Sequence, residues 1–111
     1  MRYSLSGIAR NDIDEIAAYY ASENPNTSAR FIAEVDRVLG LLLDHPFAGE
    51  RIDEVHRHHP LHGFPFYLNY RVDKDPDCIR VIAVSDQRRR PDYWHNRIEE
   101  PAAVYAVPLA A

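Results

Sequence analysis

The sequence predicts an α+β domain in which a helical hairpin covers one face of a mostly antiparallel sheet, in the order strand, helix, helix, strand, strand, strand. Three observations predict it. Phe64, Phe66, Leu68, Tyr70 and Val72 recur at every second position, the period of a pleated strand with one face turned to a core. Across the polar turn from Asp73 to Asp77 the chain returns as Cys78 to Val84, where Arg80 is the only charged residue, as expected of a strand central in its sheet. Upstream, two amphipathic stretches are separated only by Asn24-Pro25. Helices joined so tightly lie nearly antiparallel, and the apolar face they share must be buried on something, here the sheet.

In chain order, Arg2 to Leu5 alternates Tyr3 and Leu5 against Arg2 and Ser4, a short strand. Ser6 is placed to cap the first helix, whose stripe is Ile13, Ile16, Ala17 and Tyr20, with Arg10, Asp12, Asp14 and Glu15 expected on the solvated side. Asn24 ends that helix and caps the next, and Pro25 suits a first helical position because its missing N–H had no intrahelical partner there. The second helix carries Phe31, Ile32, Val35, Val38, Leu39, Leu42 and Leu43 and runs to Asp44, where Pro46 stops it. Gly40 costs helicity and is expected to mark a close contact. Phe47 to Glu54 is a loop turning at Gly49. Val55 to Leu61 is a strand interrupted by Pro60, hence an edge or a bulged strand, and His62-Gly63 is a tight turn into Phe64. Alternation on the last strand puts Ile79, Val81 and Ala83 on one side and Ile82 and Val84 on the other.

At 111 residues the chain is long enough for one domain with its own core, expected over residues 1–100, with the uncharged residues 101–111 a mobile apolar tail. The single cysteine, Cys78, excludes an internal disulfide, and no apolar run approaches the ~20 residues of a membrane span. With no signal-peptide layout at the N-terminus, a cytoplasmic protein is expected. Net charge is −4, divided unevenly: through Glu54 there are five arginines against ten acidic residues, and beyond it eight basic against seven acidic. The uniformly basic surface of a nucleic-acid binder is absent, so electrostatic recognition has to be local and no direct sequence-specific nucleic-acid binding is expected.

The succession of blocks resembles the ParE branch of the RelE/ParE toxins of type II toxin–antitoxin pairs. The matching pieces are Ala9 to Ile16 with Tyr19-Tyr20, Asn24-Pro25, Ala29-Arg30-Phe31, the leucine-rich helix ending in His45-Pro46, Gly49-Glu50-Arg51, Phe64 to Val72 and Ile79 to Val84. The resemblance covers roughly Arg2 to Arg97. It implies a small toxin that binds and inhibits DNA gyrase, and a cognate ParD-like antitoxin whose C-terminal segment wraps it into a hetero-oligomer. The sister RelE branch implies the alternative, a metal-independent, ribosome-dependent mRNA endonuclease, for which Arg57, Arg71 and Tyr93 are the catalytic candidates. Pro65 or Phe66 and Gln87 stand where that branch tends to carry basic residues, which favours a binder without chemistry of its own. A non-toxic, antitoxin-binding member is the remaining alternative.

Four constellations are candidates for sites. Arg88, Arg89 and Arg90 followed by Tyr93 and Trp94 have the composition of an interface hot spot and are the expected target-binding residues. The competing reading is a solvated strand end with an arginine paired to Asp86 or Asp92. The apolar surplus of the second helix makes Phe31, Val38 and Leu41, with Tyr19 off the first helix's stripe, the expected antitoxin-binding residues. His56, His58, His59 and His62 lack an evident third ligand partner and second shell and read as exposed histidines on an edge strand. No metal and no cofactor are expected. Cys78 reads as a small core residue, and Asp12, Asp14 and Glu15 as a solvated helix face.

Overall fold

A computed structural model of the chain describes residues 1–74 and 77–88; the expected tail and the segment holding Arg89, Arg90, Tyr93 and Trp94 lie outside the described residues. The elements are β1 (Arg2–Leu5), α1 (Gly7–Glu23), α2 (Pro25–Asp44), β2 (Glu50–Arg51), β3 (His56–Pro60), β4 (Phe66–Lys74) and β5 (Asp77–Asp86). The strands form one five-stranded mixed sheet in the order β1-β5-β4-β3-β2. Only β1 runs parallel to its neighbour, β5; the other pairs are antiparallel. The predicted α+β class and element order are therefore found. One strand was not foreseen: Glu50–Arg51 pairs outside β3, so the histidine strand lies inside the sheet and not at its edge.

The helical hairpin is built by one residue. Asn24 donates its N–H to the Tyr20 carbonyl at 2.7 Å as the last residue of the α1 turn, and its Oδ1 accepts the Asn26 N–H at 2.9 Å as the cap of α2. Ser28 Oγ reaches back to the Ala17 carbonyl at 2.8 Å, fixing the two helices side by side. Their shared face buries Ala9, Ile13, Phe31, Val35, Val38, Leu39 and Leu42 against Leu68 and Tyr70 of β4 and Ile79 and Val81 of β5. Gly40 departs from expectation, since nothing lies within 4 Å of where its Cβ would stand.

The junction of β1 and α1 explains a buried carboxylate. β1 ends at Leu5, opposite Val81, so β5 continues with groups on that edge that have no strand to pair with. Ser6 takes one of them, its Oγ donating to the Ile82 carbonyl at 2.7 Å while accepting the Ala9 N–H at 3.0 Å as the α1 cap. Asp12 takes the next, Oδ2 accepting the Val84 N–H at 3.0 Å. Asp12 is thus 7% exposed and part of the sheet's hydrogen bonding, not of a solvated face as its spacing suggested. Asp14 and Glu15 do face solvent.

A bulge in β5 corrects the predicted alternation. Asn69 pairs with Ala83 but Tyr70 with Val81, leaving Ile82 as the extra residue. One inserted residue reverses parity, so Val84 joins Ile79 and Val81 in the main core, and Ala83 packs with Ile82 and Ile8 in a second cluster.

Glu34 is the charged exception on α2, only 9% exposed. Both its oxygens accept from Arg37, at 2.7 Å each, and Oε2 also accepts the His62 N–H at 2.6 Å. The Arg37 guanidinium holds the carboxyl below the usual carboxylate range despite its burial. The pair thereby ties α2 to the turn at Gly63, whose φ of 84° favours glycine.

Candidate functional site

The predicted site residues fall in separate places. Arg88 stands at the end of β5 with its side chain 85% exposed, and its guanidinium is closed on Asp86, Nε to Oδ1 at 3.0 Å and Nη2 to Oδ2 at 2.7 Å. This bidentate pair, with the Arg88 N–H also on Asp86 Oδ1 at 2.8 Å, keeps the guanidinium protonated and at the strand end. Arg89, Arg90, Tyr93 and Trp94 lie outside the described residues.

Of the four residues predicted to meet an antitoxin, the structure leaves one exposed. Tyr19 is 61% exposed, and Leu41 is half-buried. Phe31 and Val38 are 0% exposed, so the surface expected of them does not exist; both point into the sheet, which absorbs the apolar surplus of α2. Tyr19 is instead the outer ring of an aromatic series at the hairpin's closed end. Its centroid lies 5.4 Å from that of Tyr20, Tyr20 lies 5.3 Å from Phe64 and 5.9 Å from Phe31, and Phe31 lies 6.1 Å from Phe66. Burial, with the neighbouring Tyr19 and Asp86, pushes the Tyr20 phenol above its ordinary range. Leu41 sits near the other end of α2, about 24 Å from Pro25 at 1.5 Å per residue.

The endonuclease candidates are not brought together. Arg57 pairs across the sheet with Tyr70, a core residue, whereas Arg71 pairs with His56, and alternation places the two arginines on opposite faces. Arg57 Nη1 donates to the carbonyls of Phe47 at 3.3 Å and Gly49 at 2.9 Å. Arg71 Nε lies 3.0 Å from Asp73 Oδ1, too oblique for a hydrogen bond, and Arg80 shares the same carboxylate. Tyr93 lies outside the described residues.

The face of the sheet turned away from the helices carries the polar residues that alternation assigns to it: His56, His58, Tyr67, Asn69 and Arg71. His56 Nδ1 is 3.0 Å from Asp53 Oδ2, and His58, only 5% exposed, stacks on Tyr67 with centroids 3.9 Å apart and planes at 11°. His58 is therefore not the exposed histidine its sequence context predicted. Among the described residues no three His, Cys, Asp or Glu side chains are grouped to hold a metal ion, and Cys78 is a buried free thiol, as expected. Asn69 Nδ2 donates to Ser85 Oγ at 2.8 Å, a polar contact that nothing in the alternating pattern reveals.

Burial pushes the His58 imidazole below its ordinary value of 6.5, against the opposing pull of the Glu50 carboxylate 3.7 Å from Nε2. A histidine lowered on folding favours the native state when neutral, so its contribution is complete above about 6.5 and is lost as the pH falls further. Unfolding free energies from urea titrations between pH 8 and 5 are expected to drop below that value, by at most about 1.4 kcal/mol per pH unit for one proton. The His58→Gln chain is expected to lose that part of the slope; an unchanged slope would remove His58 as its source.

Helical hairpin and five-stranded mixed sheet together define a small α+β domain with one helical layer on one face of the sheet. The structure has a TM-score of 0.65 to a solved chain of a chromosomal ParDE toxin–antitoxin system from P. aeruginosa, at 19% identity over 78% of this chain and 95% of that one, a likeness of fold. Y4kP of Sinorhizobium fredii, itself named a candidate toxin, is 28% identical over 89 residues, 78% of this chain and 90% of its own. Residues 3–91 match the family model described as the ParE toxin of the type II toxin–antitoxin system parDE. The chain belongs to the ParE toxin family.

Proposed function

We propose that this chain is a cytoplasmic toxin that inhibits DNA gyrase by binding it, catalyses nothing, and is held inactive in a hetero-oligomer with a ParD-like antitoxin. The family match over residues 3–91 carries the reading, because it spans both helices and all five strands. Arg57 and Arg71 on opposite faces, each already engaged by the chain itself, support a binder over a ribonuclease. No helix among the described residues is long and apolar enough to cross a membrane. The target contacts proposed are the exposed Arg88 and, beyond it in sequence, Arg89, Arg90, Tyr93 and Trp94, as a cationic and aromatic patch.

The test runs purified chain with gyrase in supercoiling and DNA-cleavage assays, beside primer extension on translating ribosomes. Lost supercoiling with uncut message is the expected result. Cuts within codons with gyrase unaffected would establish the endonuclease reading, and unimpaired growth on strong induction of the chain alone would establish a non-toxic member.

A further inference from the structure

The edge of the sheet where β2 meets β3 holds a cleft of about 300 Å³, lined by Phe47, Arg51, Val55, His56, Arg57 and Val72 among others. Five large apolar side chains are exposed among the described residues, and two of them, Phe47 and Val55 at 58% each, both line this cleft. Their exposure is held in place from beneath. Arg57 grips the turn that presents Phe47, donating to the Phe47 and Gly49 carbonyls with its Cζ 5.1 Å from the Phe47 ring centre. Arg51 does the same for the turn that presents Val55, Nε and Nη2 donating to the carbonyls of Asp53 and Glu54 at 3.4 Å each. Asp53 Oδ1 closes that turn by accepting the N–H groups of Val55 at 2.8 Å and His56 at 2.7 Å. Apolar groups displayed on turns already ordered bind a partner without the entropy cost of fixing a loop.

The charges indicate what the partner is like. Each hydrogen bond of Arg51 and Arg57 ends on a neutral carbonyl oxygen, so among the described residues neither guanidinium is paired with a carboxylate. Arg37, Arg71, Arg80 and Arg88 meet carboxylates, and of the arginines that do not, Arg51 and Arg57 are the two that line the cleft. Two arginines with their charge uncompensated, beside an aromatic ring and a valine, match a peptide that offers an apolar side chain next to an acidic one.

We propose that this cleft is an anchor site for the antitoxin, taking an apolar side chain between Phe47 and Val55 and an adjoining carboxylate on Arg51 and Arg57. The proposal rests on the toxin–antitoxin reading above and adds where, and by what chemistry, the partner is held. Two carboxylates also line the cleft: Asp53, turned to the Val55 and His56 N–H groups and to His56 Nδ1, and Glu54, exposed on the rim, which opposes an acidic guest and sets the sign of one further variant.

The test measures the affinity of the full chain for the purified antitoxin from the adjoining reading frame, by calorimetry. F47S, V55S and R51E are each expected to weaken binding by about tenfold or more, and E54Q to tighten it. Urea midpoints of F47S and V55S should match the parent, since both side chains are exposed. Supercoiling inhibition by the free chain should also be unchanged. Equal affinity of parent, F47S and V55S overturns the anchor site while leaving the toxin reading intact. Loss of gyrase inhibition in these variants with antitoxin affinity unchanged assigns the cleft to the target and overturns it too. No complex with the parent chain brings down the antitoxin reading itself.

Discussion

Phe31→Ala is expected to lower the folding free energy by about 3–5 kcal/mol, the cost of removing a fully buried phenyl group and leaving its space partly empty. Phe31 is 0% exposed and touches Tyr20, Phe64 and Phe66 with ring centroids 5.9, 5.4 and 6.1 Å away, so a single truncation strips one partner from three others. The loss is a large fraction of the stability of an ordinary small domain. Urea denaturation followed by tryptophan-independent circular dichroism reads it directly, with Tyr19→Ala as the companion variant. Tyr19 is 61% exposed, and its truncation is expected to cost below about 1 kcal/mol. A Phe31→Ala midpoint as mild as that of Tyr19→Ala would show that α2 presents Phe31 outward after all, restoring the surface predicted from its sequence.

Gly49→Ala is the second large effect, expected at about 2–4 kcal/mol from overpacking together with a disturbed hydrogen bond. A Cβ at Gly49 would stand 2.6 Å from Tyr70 Oη, 2.7 Å from Tyr70 Cε1 and 2.8 Å from the His58 carbonyl oxygen, and backbone cannot step aside as a flexible side chain would. The crowding has a purpose that the bonds make plain. Tyr70 Oη donates to the Pro46 carbonyl at 2.7 Å and accepts the Gly49 N–H at 2.9 Å, so one buried phenol pins the exit of α2 to the centre of the sheet. Burial raises that phenol above its ordinary range, keeping it protonated and a donor. The Gly49 turn also carries the carbonyl that Arg57 grips, so the substitution is expected to weaken antitoxin binding along with stability. A loss below about 0.5 kcal/mol in denaturant titration would mean that the loop relaxes freely and that Tyr70 anchors nothing.

Both effects bear on how much was legible in the residues. The period-2 run from Phe64 to Val72 placed Leu68 and Tyr70 in the core because a pleated strand has no other way to sort its side chains. Ser6, Asn24 and Pro25 marked the helix ends because their own chemistry satisfies or removes the terminal N–H groups, a local matter that needs no tertiary partner. Prediction failed wherever a residue's role depends on what another segment leaves unpaired. Asp12 has the spacing of a surface carboxylate and became a sheet acceptor only because β1 stops opposite Val81. Val84 changed sides because of an inserted residue that periodicity cannot register. Phe31 and Val38 lie in the core although their stripe predicts surface, because an amphipathic stripe does not say how wide a face the sheet will cover.

For the site, the contrast is sharper. Composition alone singles out the arginines and aromatics that follow β5, and Arg88, the first of them, is exposed and closed on Asp86. The cleft at the sheet edge left no pattern in the sequence, since Phe47 and Val55 are eight positions apart in a stretch read as loop and strand. The chain by itself determined the helices, their caps, the central strands and membership of a toxin family, all properties of local chemistry and block order. Tertiary structure alone decided which side chains are surface, which arginines are paired with a carboxylate, and which two loops meet, because these depend on distances across the fold that no neighbour in sequence encodes.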